Sequence, residues 1–386
     1  MSTPNQEPDQ AVISADRGFL PDSDPMESFN EEPDFQSSNE FLRELDALTA
    51  ALPDQLERNQ LRPAVEALPA MPEGLVAELN TRGCWRLCLL SGFLGSAYVH
   101  HLGKESADSI PASIAVPLYE TSQRLGRKPM LAYDVLCLHN FCRHESESGF
   151  GLDNIDTLVD FTTHEDERWF VKIHIAIEAA AGSGLVAARR LHESVRTDTP
   201  RAVEAALDTI HESLQRQTSH MQRMRERNDP ETFAQQYRPY YDGFDGVVYE
   251  GVDAFDEEPQ SFRGGSGAQS LALPSFDAAL GIDHSGTGLT AHLDSLRSYL
   301  PDSHLAVAQA FERGPDVRSY VAERDSQTMR ESYNDCIDAI SSFRTVHFGQ
   351  TIEYIRRMTG DTTGTGGTDY EAFLQLLQSK TEEHRL

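Results

Sequence analysis

Between Tyr333 and Met358 the apolar residues Tyr333, Cys336, Ile337, Ile340, Phe343, Tyr354, Ile355 and Met358 recur at spacings of three and four. That is the periodicity of a helix that buries one face. His347 falls one turn beyond Phe343 on this stripe, so the helix carries an imidazole into its own apolar contact. A neutral ring in such surroundings needs a partner for its nitrogens. A backbone carbonyl is the ordinary solution; haem iron is another, and it would also account for apolar walls around the ring.

Similar patterns cover most of the chain. Leu42, Leu45, Leu48, Leu52 and Leu56 predict a first helix, and residues 75–102 a long, more uniformly apolar one carrying Trp85, Phe93 and Tyr98. Shorter helices are predicted over residues 117–125 and 130–141. The polar run from His144 to Gly151 then breaks the pattern, and we place a domain boundary between residues 144 and 157. Beyond it, Phe170, His174, Ile177 and Ala181 share one face of a helix over residues 166–191. Val203, Ala206, Ile210 and Leu214 lead into a charged helix ending near Asn228, and a last helix is predicted over residues 370–379. Few alternating strand patterns and no internal repeat are visible. The expected class is all-α, in two helical domains: a small N-terminal one over residues 41–155 and a larger one over residues 156–386, preceded by a tail.

Residues 1–40 form that tail, with ten Asp or Glu against the single Arg17 and prolines at 4, 8, 21, 25 and 33. So little apolar surface cannot offset the entropy of ordering it, and the tail is expected to be disordered. The formal charge of −29 over 386 residues argues against nucleic acid or an anionic membrane as partner, since a protein meets polyanions with Lys and Arg. No run of 18 apolar residues and no signal-peptide pattern is present, so a cytoplasmic protein is expected. Five cysteines, an odd number, fit a reducing compartment. The spacing of Cys137, His139, Cys142 and His144 suggests zinc only superficially, because residues two apart on a helix point in different directions.

An oxygen-activating haem site acting on an amino acid needs an iron ligand, an apolar distal face, one fixed cation for a carboxylate and a loop that closes. Arg238, after Phe233 and Tyr237, offers a planar fork of the kind that grips a carboxylate in two places, although a lone arginine is more often structural. The runs Arg263 to Ala268 and Gly364 to Asp369 are glycine-rich. Neither has the Gly-x-x-x-x-Gly-Lys-Ser/Thr order of a nucleotide loop.

Taken in order, the segments Ser113 to Pro117, Tyr133, Ile177 to Ala181, Asp245 to Val252, Gly264 to Ser266, Ser275 to Asp277, Phe343 to His347 and Gly364 to Asp369 resemble the indoleamine 2,3-dioxygenases. The resemblance is colinear over roughly residues 40–380, with the acidic tail outside it. It implies a small helical domain covering a larger one that holds haem b, and the use of dioxygen to open the indole C2=C3 bond of L-tryptophan, giving N-formylkynurenine. It further implies His347 as the proximal iron ligand, with Arg344 meeting Asp277 near the haem propionates. Arg238 would hold the substrate carboxylate and Phe233 would pack on the indole. Tyr133, Phe170, Gly265 and Ser266 would line the pocket, and Thr365 would help a mobile glycine loop close over substrate. A monomer is expected.

Two positions depart from the family pattern. His174 stands where mammalian members have serine and is similar in placement to the distal histidine of tryptophan 2,3-dioxygenases, where it would accept a hydrogen bond from the indole N–H. That contact would disfavour 1-methyltryptophan; packing without substrate contact is the alternative. Ala234 stands where a second phenylalanine is common. Both leave room for a different indole substrate, and a non-catalytic haem protein that binds gas is a further alternative, against which Arg238 speaks because a gas needs no carboxylate clamp.

Overall fold

The periodic segments fold as helices in the computed structural model, which describes residues 13–31, 40–284, 295–362 and 369–386. In chain order these are α1 (Glu40–Ala50), α2 (Leu52–Glu57), α3 (Leu61–Glu66), α4 (Leu75–Glu78), α5 (Thr81–Val99), α6 (Ala112–Leu125), α7 (Glu165–Arg196), α8 (Pro200–Gln222), α9 (Ala272–Leu280), α10 (Asp302–Glu312), α11 (Val317–Ala322), α12 (Gln327–Thr351) and α13 (Tyr370–Glu382). The protein is all-α. α7 packs along α8, and α8 along α12, so the two helices that carry His174 and His347 are brought together by the one between them. On α12 the predicted stripe is buried from Tyr333 through Cys336, Ile337 and Ile340 to Phe343, but the α-helix gives way to a π turn after Thr351 and Met358, expected on the stripe, is exposed.

Several boundaries differ from the sequence expectation. The first predicted helix is two, broken before Pro53, and the 75–102 segment is cut at Asn80, whose side chain caps α5 by accepting from the Gly83 N–H at 2.8 Å. Residues 130–141 supply only one π-helical turn, Asp134–Leu138. Tertiary bonds outweigh helix propensity there: the Tyr133 N–H is held by Gln269, and Asp134 by a buried Arg127. His139 stacks on Trp85, with ring centroids 3.7 Å apart. Short strands also occur. β1 (Ser109–Ile110) pairs in parallel with β4 (Phe244–Tyr249), which pairs antiparallel with β5 (Gln260–Phe262); β2 (Cys142–Arg143) and β3 (Ile155–Asp156) form a hairpin at the expected domain boundary. One continuous set of buried side chains runs across that boundary.

The tail expectation fails for residues 13–31. Ile13, Phe19, Leu20, Met26 and Phe29 are buried, and Arg17 and Arg143 both pair with Asp24. Glycine makes the docking possible: Gly18 adopts φ +59°, and a Cβ there would lie 2.3 Å from the Glu178 carbonyl, while one on Gly182 would lie 2.5 Å from the Ser14 carbonyl. The low apolar content of the segment as a whole concealed a few well-spaced anchors.

By length and composition α7 could cross a bilayer, yet 67% of its most apolar window is buried inside the fold. Its apolarity has an internal explanation.

Candidate active site

α7, α8, α9, α12 and α13 line a cavity of about 630 Å³, within the range of sites that take a cofactor or small molecule. A second cavity of about 180 Å³ adjoins it, and His174, Met221, Gly267, Ala268, His347, Phe373 and Leu374 line both. Three π-helical turns border this space: Asp134–Leu138 follows Tyr133, Phe233–Tyr237 leads into Arg238, and Ile352–Arg356 follows the helix of His347. Each widened turn shifts the helical register, and such turns are common where a helix must present functional side chains.

His347 points into the shared space, and its imidazole hydrogen-bonds to no other described residue. Burial, and then the nearby His174, push its pKa down to about 4, so the ring is neutral and its lone pair is available, the form that ligates metals. The wall beneath it is apolar, with Phe343, Leu374, Leu377 and Phe373. At the cavity's edge Arg344 pairs with Asp277, which also accepts from His284 at 3.0 Å, and Arg344 donates to the Thr381 hydroxyl. These bonds tie α12 to α9 and α13. Arg344 Nε and Asp277 Oδ1 are buried without a partner among the described residues. The observed ion pair agrees with the sequence expectation, and the unmade bond at Arg344 leaves capacity for an anionic group.

The smaller cavity joins Phe170, His174, Phe233, Arg238, Gly265 and Ser266 as the resemblance implies. Phe170 and Phe233 have centroids 5.3 Å apart. Arg238 is only 7% exposed; its guanidinium lies 3.7 Å from the half-exposed Asp361, and its Nε is buried without a partner among the described residues. The His174 Nδ1–H donates to the Phe170 carbonyl at 2.8 Å, which fixes the tautomer and leaves Nε2 as an acceptor. Burial holds this ring neutral as well. Ala234 is buried on the same turn as Phe233 but is not among the lining residues. Tyr133 lines the larger cavity only, where its hydroxyl donates to Glu178 at 2.9 Å. Thr365 lies outside the described residues.

Sequence reasoning missed Tyr241, Met221 and Asp361. Tyr241 had a legible signal, since it stands three residues after Arg238 and so on the same side of a tight turn. Met221 and Asp361 had none, because their place depends on how α8 and the segment after Gly360 return to the cavity. Gly264 shapes the same wall: a Cβ there would sit 2.0 Å from the Tyr241 carbonyl.

Comparison with known proteins bears on what such a site does. The family model described as "Indoleamine 2,3-dioxygenase" matches residues 8–359. It begins inside the segment expected to fall outside the resemblance and stops short of the second glycine run. Indoleamine 2,3-dioxygenase 1 of Rattus norvegicus is 31% identical over 358 residues, covering 86% of each chain. Indoleamine 2,3-dioxygenase 2 of Homo sapiens is 27% identical over 397 residues, covering 96% of this chain and 93% of its own. A protein named myoglobin, from Haliotis madaka, is 26% identical over 353 residues, covering 87% of this chain and 90% of its own.

Proposed function

The chain belongs to the indoleamine 2,3-dioxygenase family, and from that premise we propose that it uses dioxygen to open the indole C2=C3 bond of L-tryptophan, giving N-formylkynurenine, with haem b on His347. The observation that carries the reading is the pairing, across two adjoining cavities, of a neutral imidazole with a buried arginine whose Nε has no partner, both judged among the described residues. A gas carrier needs the first and not the second.

The residues fit the cofactor. His347 offers the ligating nitrogen, Phe343 and Leu374 the apolar bed, and Arg344, braced by Asp277, a cation for a propionate. Haem iron, when bound, supplies dioxygen binding and the redox chemistry. The protein's own work is placement. Arg238 receives the carboxylate bidentately, Phe233 and Phe170 pack on the indole, and His174 Nε2 accepts from the indole N–H. No side chain needs to gain or lose a proton for the ring to be held in position. Gly265 and Ser266 close the wall, and Tyr133 is held by Glu178 beside the larger space. Among the described lining residues Tyr133 alone precedes residue 156, which suits the N-terminal helices to the role of cover and the rest to that of haem-holding body.

The test is to reconstitute the chain with haemin, reduce it, and follow N-formylkynurenine by absorbance with L-tryptophan in air. Product supports the reading. A stable oxy spectrum without product would instead favour an oxygen-binding protein, a role that the name of the Haliotis relative keeps in view. Product only from another indole would keep the chemistry and change the substrate.

A further inference from the structure

Asp361 stands beside the smaller cavity, with its Oδ2 3.7 Å from Nη1 of Arg238, and it is the one ion-pair partner that arginine has among the described residues. At that separation the charges attract without sharing a hydrogen bond. The Asp361 side chain is 52% exposed, and its carboxylate accepts no hydrogen bond from any described residue. Its backbone, by contrast, is held on both sides. The Asp361 N–H donates to the Thr359 hydroxyl at 3.0 Å, the Asp361 carbonyl accepts from the Tyr370 hydroxyl at 2.6 Å, and the Thr362 carbonyl accepts from the Tyr370 N–H at 3.2 Å. Tyr370 is 6% exposed and lines the cavity, so the residue that pins Asp361 belongs to the wall against which a ligand would lie. Gly360, at φ +78°, makes the turn that the chain needs after Thr359.

The two sides of the Arg238 fork are differently placed. Nε is buried without a partner among the described residues, whereas Nη1 faces Asp361. A carboxylate gripped in two places through Nε and Nη2 therefore leaves Asp361 where it is. An acid with no other charge would set a second anion beside that carboxylate. An amino acid instead carries an ammonium one carbon from its own carboxylate, and an ammonium needs acceptors. Among the described residues that line the smaller cavity there is no Asp or Glu, so the anion offered to such a group is the one on the rim. A fixed cation and a fixed anion side by side match both ends of a zwitterion.

We propose that Asp361 is a specificity-determining residue that accepts the α-ammonium of the bound ligand, so that Arg238 and Asp361 together select amino acids over acids lacking the amino group. This role deepens the proposed binding of an amino-acid carboxylate at Arg238 and rests on it. The family match ends at residue 359, so the role stands on these contacts and not on likeness.

The test is equilibrium calorimetry on the haem-loaded full chain. The ligands are L-tryptophan and indole-3-propionate, which keeps the ring, the chain length and the carboxylate but has no amino group; the proteins are the wild type, Asp361→Ala and Arg238→Leu. The wild type should bind L-tryptophan about three- to tenfold more tightly, the worth of a charge-assisted hydrogen bond at a half-exposed site. Asp361→Ala should lose that preference by weakening L-tryptophan, with indole-3-propionate bound as well as before or better, and should keep the Soret band and thermal midpoint of the wild type. Arg238→Leu should weaken both ligands. The proposal is overturned if the preference survives in Asp361→Ala, or if that variant moves both ligands in the same direction. Tightening of both would make Asp361 a competitor for the clamp, and weakening of both, a lowered midpoint or an altered Soret band would make it structural. Equal binding of the two ligands by the wild type would remove this role alone. Failure of the wild type to bind either ligand, or unchanged affinities in Arg238→Leu, would remove the proposed carboxylate site and this role with it.

Discussion

Two buried arginines are bonded very differently in this protein. Arg127, 4% exposed, is saturated: it donates to both oxygens of Asp134 at 2.6 and 2.8 Å, to the Met130 carbonyl at 2.8 Å and to the Ser122 hydroxyl at 3.2 Å. Among the described residues Arg238, 7% exposed, has one distant carboxylate at 3.7 Å and a buried Nε with nothing to bond. Burial alone therefore does not separate a structural arginine from a binding one. Satisfaction does, because a buried charge without its bonds is tolerated only where something arrives to complete them.

The largest break would come at His347, the proposed haem ligand. His347→Ala should retain no haem after reconstitution, read as loss of the Soret band; a normal band would transfer the ligand role to another residue, with His174 the first to examine. The arginines themselves make a crossed test. Arg127→Leu should lower the unfolding free energy by about 3–5 kcal/mol in chemical denaturation, since it strands a buried Asp134. Arg238→Leu should leave stability within about 0.5 kcal/mol and instead weaken L-tryptophan binding by about 2–5 kcal/mol. Equal stability losses in the two variants would erase the contrast.

The contrast also shows which parts of the molecule the sequence could reveal. Helix identity on α7, α8 and α12 is readable because their stripes repeat over many turns, and His347 and Arg238 stand out as candidates because their residue types are costly to bury. The anchoring of residues 13–31 was not, because five apolar side chains among many acids carry no period; what holds them is the close approach of two glycines far apart in the chain. The turn at residues 134–138 was misread as part of a longer helix for a related reason, its backbone being claimed by Gln269 and Arg127. The spacing of Tyr241 from Arg238 is visible in the sequence, but that its hydroxyl is unpaired among the described residues is a property of packing and leaves no mark on composition.

A finer test concerns the other polar group of the slot. If His174 Nε2 accepts from the indole N–H, the wild type should prefer L-tryptophan to its 1-methyl derivative by about three- to tenfold beyond any steric term, and His174→Ala should narrow that ratio. An unchanged ratio would return His174 to simple packing. The smallest expected effect is on pH dependence away from the site. Burial holds the His304 imidazole down to about 4 from its ordinary 6.5, so between those values the unfolded chain takes up a proton that the native fold refuses. Its contribution to stability is complete above pH 6.5, declines as the pH falls, and stops declining below about 4. Thermal midpoints measured across that window should fall, and His304→Gln should flatten the slope; an identical slope would assign the effect to other histidines.

The docking of Gly18 against Gly182 has a practical side. An acidic leader that looks dispensable is seated on the backbone of α7 within a few residues of His174, so proteolytic clipping near Arg17 would bare the small-residue stretch of that helix to water. Shelf life, crystallisation and recombinant design would then all depend on keeping residues 13–31 whole.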